Sequence, residues 1–407
     1  MDGCINKQED IDIKDYPAMM ETSHSHVRYV SNNDSSSQED EAGDKLSELP
    51  DDILVDIVGR LDLRTTVRAG AASRRWRHIP RLLPDLKIDV YELRPARPSP
   101  QSVDLALTAY AAATSWLLAP STRRTIRTLV LSFYLIDPHL QTIGRAVEDV
   151  AERGGLEFLQ FTMWTRPGSG DLDRDGESVG RLFMSFFDTY PTAFKCLTSL
   201  ELEKIRFSES DISVLLNTCS KLRYLSLTEC DSGPASHVKI DAPDSEICIL
   251  KLQACGYRTV ELVNVPKLAA LYCTEWCGDN PPMRFGYVPC LKIISVSFAC
   301  LVWQEPFKLS EWLPNCRNLY NLSLDFQDEK ISWHTCNRNK CEDSAEKTNV
   351  PWDSSNFQHP SLTLLQIEGF AVEKTVMRYL RQLLCINPLF SVGNDGPLCH
   401  WFLLFVV

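Results

Sequence analysis

From residue 126 onward one apolar signature recurs along the chain. Hydrophobic side chains fall at positions i, i+3 and i+5, as Ile126-Leu129-Leu131, Leu156-Leu159-Phe161, Leu197-Leu200-Leu202 and Leu222-Leu225-Leu227. The series continues through Ile247-Leu250-Leu252, Leu268-Leu271-Cys273, Leu291-Ile294-Val296, Leu319-Leu322-Leu324 and Leu362-Leu365-Ile367. Each triplet predicts one short strand whose apolar side chains point to one face and whose alternating neighbours point to the other. Three successive starts, 197, 222 and 247, lie 25 residues apart, while the other intervals run from 21 to 43. A repeat of this period buries each strand against its neighbours and stacks into one continuous core. The expected fold class is therefore an α/β repeat, an irregular solenoid with a parallel β-sheet over residues 126–367. A charged, weakly apolar stretch at 327–357 is expected as an exposed insertion loop.

The segment before the repeats has a helical period. Pro50 suits a first helical turn, and Asp51 and Asp52 suit its positive end. Ile53, Leu54, Ile57, Val58 and Leu61 then recur at helical spacing. Asp62 is placed to cap a second helix carrying Leu63, Val67 and Ala71, and Ser73 to cap a third over Arg74-Arg75-Trp76-Arg77, ending near Pro80. Three short helices within residues 45–85 make a poor independent core, so their excess apolar surface calls for a partner. Residues 86–125 read as a linker and helical cap, with a loop at 94–102 and a helix from Val103 to Leu118. Residues 1–44, rich in Asp, Glu, Ser and Asn, predict a disordered acidic tail.

The formal net charge of −12 opposes general nucleic-acid binding, which needs a basic face. Met1 to Glu21 is acidic and has neither the basic nor the apolar part of a secretory signal, and no apolar run is long enough to span a membrane. The expectation is a cytoplasmic or nuclear chain whose 15 cysteines are thiols. Cys230 and Cys255 each stand three residues after the last leucine of a triplet, where a small polar side chain can satisfy backbone groups as the chain leaves the strand. Cys219 and Cys316 stand three residues before a strand leucine.

The segment Asp44-Lys45-Leu46-Ser47-Glu48-Leu49-Pro50-Asp51-Asp52-Ile53-Leu54 resembles the opening of plant F-boxes, and Ser73-Arg74-Arg75-Trp76-Arg77 resembles the signature near their end. With the repeats, the chain is similar to the plant F-box/leucine-rich-repeat proteins that end in an FBD domain. The FBD-like part covers 362–390, with a strand, a turn at Gly369-Phe370 and a helix from about Val372 to Ile386. The likeness stops there, leaving 391–407 as an atypical apolar tail around Trp401-Phe402-Leu403-Leu404-Phe405. The resemblance implies a non-catalytic adaptor of an SCF-type ubiquitin ligase. Its F-box would dock a Skp-type linker and through it a cullin scaffold, and its repeats would hold a target protein of unknown identity. The competing reading is a repeat-based interaction scaffold outside a ligase.

The docking positions implied by the resemblance are Leu49, Pro50, Ile53, Leu54, Ile57, Leu61, Val67 and Trp76. On the repeats, positions alternating with the buried triplets select a concave face for the target. It comprises Ser199, Glu201, Glu203, Tyr224, Ser226, Thr228, Ile249, Lys251, Gln253, Ala270, Tyr272, Thr274, Ile293, Ser295, Ser297, Asn321, Ser323 and Asp325. Other chemistry is thin. His334, Cys336 and Cys341, or Cys273 and Cys277, lack the spacing of a zinc site, and no phosphate loop, nucleophile elbow or HExxH motif occurs. No cofactor, metal, catalytic residue, nucleic acid or membrane partner is expected.

Overall fold

The computed structural model describes residues 48–407 apart from 73, 94–99, 121–124, 167–171, 234–236, 279–280, 300–308, 326–358, 369–392, 395–400 and 407. The acidic tail, the cap at Ser73, the insertion loop with His334, Cys336 and Cys341, and the helix after Val372 therefore lie outside the described residues.

The chain opens with helix α1, Asp51–Gly59, and helix α2, Leu63–Ala72, followed by a 3₁₀ segment, Trp76–Leu82. The expected third helix thus takes the tighter winding over seven residues, long for that form, with Pro80 inside it. Asp62 caps α2: its carboxylate accepts the Thr65 N–H at 2.8 Å and the Thr65 hydroxyl at 2.8 Å. Partial burial pushes this carboxyl up, but those hydrogen bonds outweigh it and hold the group below its usual range.

The next segment is not a linker. Asp85–Asp89 forms β1, which pairs in parallel with β2, Thr128–Tyr134, so the sheet starts one strand earlier than expected. Helix α3, Pro100–Leu118, crosses from β1 to β2. After β2 come α4, His139–Arg153, β3, Phe158–Trp164, α5, Leu172–Thr189, α6, Pro191–Cys196, and β4, Ser199–Glu203. Then follow α7, Asp211–Thr218, β5, Tyr224–Thr228, β6, His237–Asp241, β7, Ile249–Gln253, β8, Thr259–Asn264, β9, Ala270–Trp276, β10, Met283–Tyr287, and β11, Ile293–Phe298. The described residues end with α8, Leu309–Trp312, β12, Asn321–Asp325, β13, Leu364–Glu368, β14, Gly393–Asn394, and β15, Trp401–Val406.

The main sheet has the order β1-β2-β3-β4-β5-β7-β9-β11-β12-β13-β15-β14. Every pairing from β1 to β13 is parallel, and β15 then runs antiparallel to β13. The stretch expected as an apolar tail thus contributes a strand to the sheet. All nine triplets of the sequence pattern lie on or lead into these strands, and their side chains are buried in one core. One crossover layer is helical from α3 to α7. Beyond β5 it changes to a small parallel sheet of order β10-β8-β6.

Side chains seal both edges of that small sheet. The Ser213 hydroxyl accepts the Asp241 N–H and donates to the Lys239 carbonyl, and the Asn217 amide donates to the Asp241 carbonyl, along β6. The Trp312 indole donates to the Met283 carbonyl at 2.7 Å and the Asn315 amide to the Phe285 carbonyl at 2.6 Å, along β10. An open strand edge invites pairing with other chains, and these contacts occupy it.

Candidate functional site

Two surfaces result, one at each stage of the chain. The first is on α1. Leu54 and Val58 face inward at 0% and 1% exposure. The neighbouring stripe, Ile53 and Ile57, shares one face of α1, and Leu61 follows two residues beyond the helix end. It points outward: Ile53 is 45% exposed, Leu61 37%, and Ile57 is half-buried. The helix is therefore apolar on two sides, and only one of them is used by its own core. Leu49, Val67 and Trp76 pack partly buried against that core, and Pro50 is exposed. Leu54 is a correction to the expected docking set, because a fully buried side chain has no surface to present.

The two ends of the F-box-like segment touch each other. The Arg75 guanidinium donates to the Leu49 carbonyl at 2.8 Å and pairs with Asp51 at 3.1 Å, while His78 Nε2 lies 3.4 Å from the same carboxylate. These groups are largely solvated, so their net stabilisation is small. What they fix is geometry: they hold the Leu49-Pro50 lead-in against the 3₁₀ segment.

The second surface is the open face of the main sheet. Register aligns Thr162, Glu201, Ser226, Lys251, Tyr272, Ser295, Ser323 and Gln366 in one row across eight strands. A second row holds Gln160, Ser199, Tyr224, Ile249, Ala270, Ile293 and Asn321. A third begins with Glu203, Thr228, Gln253 and Thr274, and Ser297 pairs with Asp325 further along the sheet. The expected concave-face residues do share one surface, but not all are accessible. Tyr224, Ser297, Ser199, Ile249 and Ala270 are buried. Of the rest, Gln253 and Thr274 are exposed, and Glu201, Glu203, Ser226, Thr228, Lys251, Tyr272, Ser295, Asn321, Ser323, Asp325 and Ile293 are half-buried, all of them polar but the last.

At the centre, the Lys251 ammonium lies 5.3 Å from the Tyr224 ring centre and 5.7 Å from that of Tyr272. Both distances suit a cation–π contact. Glu201 sits two strands from Lys251 on the same row. Burial raises its carboxyl above the usual range, against the opposing pull of Lys251 and a hydrogen bond from Thr162 at 3.4 Å. Burial also pushes the Tyr224 hydroxyl well up. Reasoning from the triplets missed Gln160, Thr162 and Trp164 on this face, although the same alternation over β3 selects them. It also missed Tyr91, which meets the Trp164 ring edge-on at 4.7 Å.

Among the described residues no cluster of histidine, cysteine and carboxylate groups could hold a metal ion. Cys230 and Cys255 donate from their thiols to the carbonyls of Leu202 at 3.7 Å and Leu227 at 3.3 Å, the role their position suggested. Burial pushes the Cys255 thiol up to about 12 and Cys230 well above its usual range. No helix among the described residues is long and apolar enough to cross a membrane.

A small helical module with outward apolar side chains is thus joined to a parallel solenoid with an open polar face. Residues 46–81 match the F-box-like family, and residues 178–305 match the leucine-rich repeats of the FBD-associated F-box protein At5g56370. Over 263 residues the chain is 24% identical to F-box protein At3g60790 of Arabidopsis thaliana, covering 59% of this chain and 52% of that protein. The chain thus spans about half the length of the curated relative it matches. It carries an F-box-like domain followed by leucine-rich repeats of the FBD-associated type, as plant F-box proteins do. F-box domains generally bind Skp-type linker proteins, and the proteins that carry them are generally non-catalytic adaptors.

Proposed function

We propose that this chain is a target-recognition subunit of an SCF-type ubiquitin ligase. The F-box docks a Skp-type linker, which joins it to a cullin scaffold, and the concave face of the repeats holds a target protein. The chain itself contributes no chemistry. It raises the effective concentration of the target's lysines near a ubiquitin-charged enzyme. The observation that carries this reading is the second apolar face of α1. Ile53 and Ile57, with Leu61 just beyond the helix end, stand outward beside a core already satisfied by Leu54 and Val58. Covering the exposed part of each contributes about 1 kcal/mol, less than the full burial of such a side chain because each is already partly shielded.

Ile53→Asp combined with Ile57→Asp tests this. Both positions reach solvent, so the fold and its melting temperature should hold. Affinity for a Skp-type linker, measured by titration calorimetry, should fall by about a hundredfold or more, since a carboxylate would be desolvated at each place. Unchanged affinity in the folded double variant would sink the adaptor reading. Leu54→Asp is not a useful probe, because it places a charge in the module's core.

A further inference from the structure

We propose that the concave sheet face, along the C-terminal ends of its strands, binds an extended segment of a partner protein bearing arginine or lysine side chains. This deepens the target-binding role above and rests on that reading for the partner being a ligase target.

The first support is aromatic. Tyr91 is 46% exposed. Its ring stands edge-on to Trp164 at 4.7 Å and to Tyr134 at 6.0 Å, and Tyr134, buried behind, holds the other two in place. The accessible parts of Tyr91 and Trp164 offer a surface on which a guanidinium or ammonium group stacks favourably. The second support is charge. Trp164 stands one place beyond Met163 and Glu203 one place beyond its paired Leu202, so the aromatic step and a carboxylate end adjacent strands. The Lys204 ammonium lies 3.4 Å from Glu203 and 3.6 Å from Glu229, one cation serving two carboxylates. Glu275, exposed within β9 at the position that register aligns with Glu229 just after β5, adds a third. Three carboxylates against one ammonium leave this rim at −2.

Arg206 Nε is already paired with Asp231 at 2.6 Å and Arg166 with Asp104 at 2.5 Å. Lys251, one row inward, keeps its charge over the Tyr224 and Tyr272 rings, and that charge acts on Glu201. A cationic segment therefore complements the rim, and a phosphorylated or acidic one is repelled. Between Trp164 and the rim's far end stand Thr228, Gln253 and Thr274, whose hydroxyl and amide groups suit a main chain crossing the strands. The span is fixed by the sheet. Four strand-to-strand steps from β3 to β9 at ~4.8 Å give about 19 Å, which about six extended residues cover.

The test uses the full chain and a labelled hexapeptide with arginine at alternate positions and serine between. Its citrulline isostere and its glutamate counterpart serve as comparisons, read by fluorescence anisotropy at low salt. The arginine peptide should bind and the other two should not. Glu229→Gln with Glu275→Gln should weaken it by about tenfold, the sum of two solvent-exposed ion pairs, and Tyr91→Ser by about threefold. Glu152→Gln with Glu157→Gln, exposed carboxylates on α4 and at the N-terminal entry of β3, should leave binding unchanged. Equal binding of the citrulline or glutamate peptide overturns the proposal. So does an equal loss in the control pair, which would reduce the effect to net charge, and so does indifference to the rim variants. Titration of the same samples with a Skp-type linker reports separately on the adaptor reading.

Discussion

At the scale of single residues, the informative side chains are polar groups placed where solvent is scarce. Cys230 and Cys255 show one solution, a thiol turned onto the carbonyl of the preceding repeat's strand, repeated at the same position of two units. That role could be read from the spacing, because a backbone leaving a strand needs a partner wherever it is buried. Glu201 shows another. Its carboxyl is raised by burial, so the ionised form is less favoured in the folded protein than in the unfolded chain. A raised carboxyl adds stability that is full below its unfolded value and is lost as pH rises through the folded one. Glu201→Gln mimics the protonated state and should stabilise the protein at pH 7.5. Denaturant midpoints of the two proteins should converge as the pH falls toward 4.5, and a gap that widens instead would contradict the burial argument. The accessibility of the concave residues was less readable. Alternation tells which face a side chain takes, but not whether its neighbour lies over it, and so Tyr224 and Ile249 were placed correctly and yet are buried.

At the scale of elements, two forces compete visibly in α4. Gly144 lies in mid-helix, where alanine would gain about 1 kcal/mol of helix propensity. A Cβ there would stand 2.2 Å from the Tyr190 ring. Overpacking of this kind costs about 1–3 kcal/mol, so Gly144→Ala should lower stability despite the better propensity. Urea denaturation that showed a gain would mean Tyr190 swings away freely. Tyr190 leads directly into α6, whose Thr192 and Ala193 N–H groups are capped by Glu148 of α4 at 2.9 and 2.7 Å. A swing would therefore disturb a second contact. The strands of the main sheet were the most readable elements, since leucine at i, i+3 and i+5 has few other uses. Leu83-Leu86-Ile88 fits the same template but stands directly behind the F-box-like helices, and it reads as their tail unless β1 is known. The small sheet was not readable either. Val238-Ile240, Val260-Leu262 and Met283-Phe285 recur at intervals of 22 and 23 residues, but two apolar positions per strand are too few to stand out.

At the scale of the whole molecule, the F-box-like module and the first repeats form one body. The Leu63 N–H donates to Glu92 at 2.5 Å and the Arg64 guanidinium to the Glu92 carbonyl at 3.1 Å. Gly70 faces the Trp116 ring of α3 so closely that a Cβ would stand 3.1 Å from it. Arg81 reaches the Pro120 carbonyl at 3.1 Å. Leu54, Ile79, Leu83, Leu86 and Ile88 belong to the same hydrophobic cluster as the repeat leucines. The module thus caps the first strand of the solenoid, a role that terminal repeats need filled. Leu54→Ala should cost about 2–5 kcal/mol and shift far-ultraviolet circular dichroism and tryptophan emission together, because helices and first repeats unfold as a unit. Two separate transitions would show a hinged module instead.

That shared core carries both surfaces on one compact unit. Provided helices and first repeats move together, as the unfolding test expects, a cargo gripped on the sheet stands at a set bearing from whatever the outward stripe of α1 holds. Under the proposed role, which lysines become modified is then decided by where they protrude from the gripped cargo, and a cargo with lysines only on its far side would be held firmly yet escape.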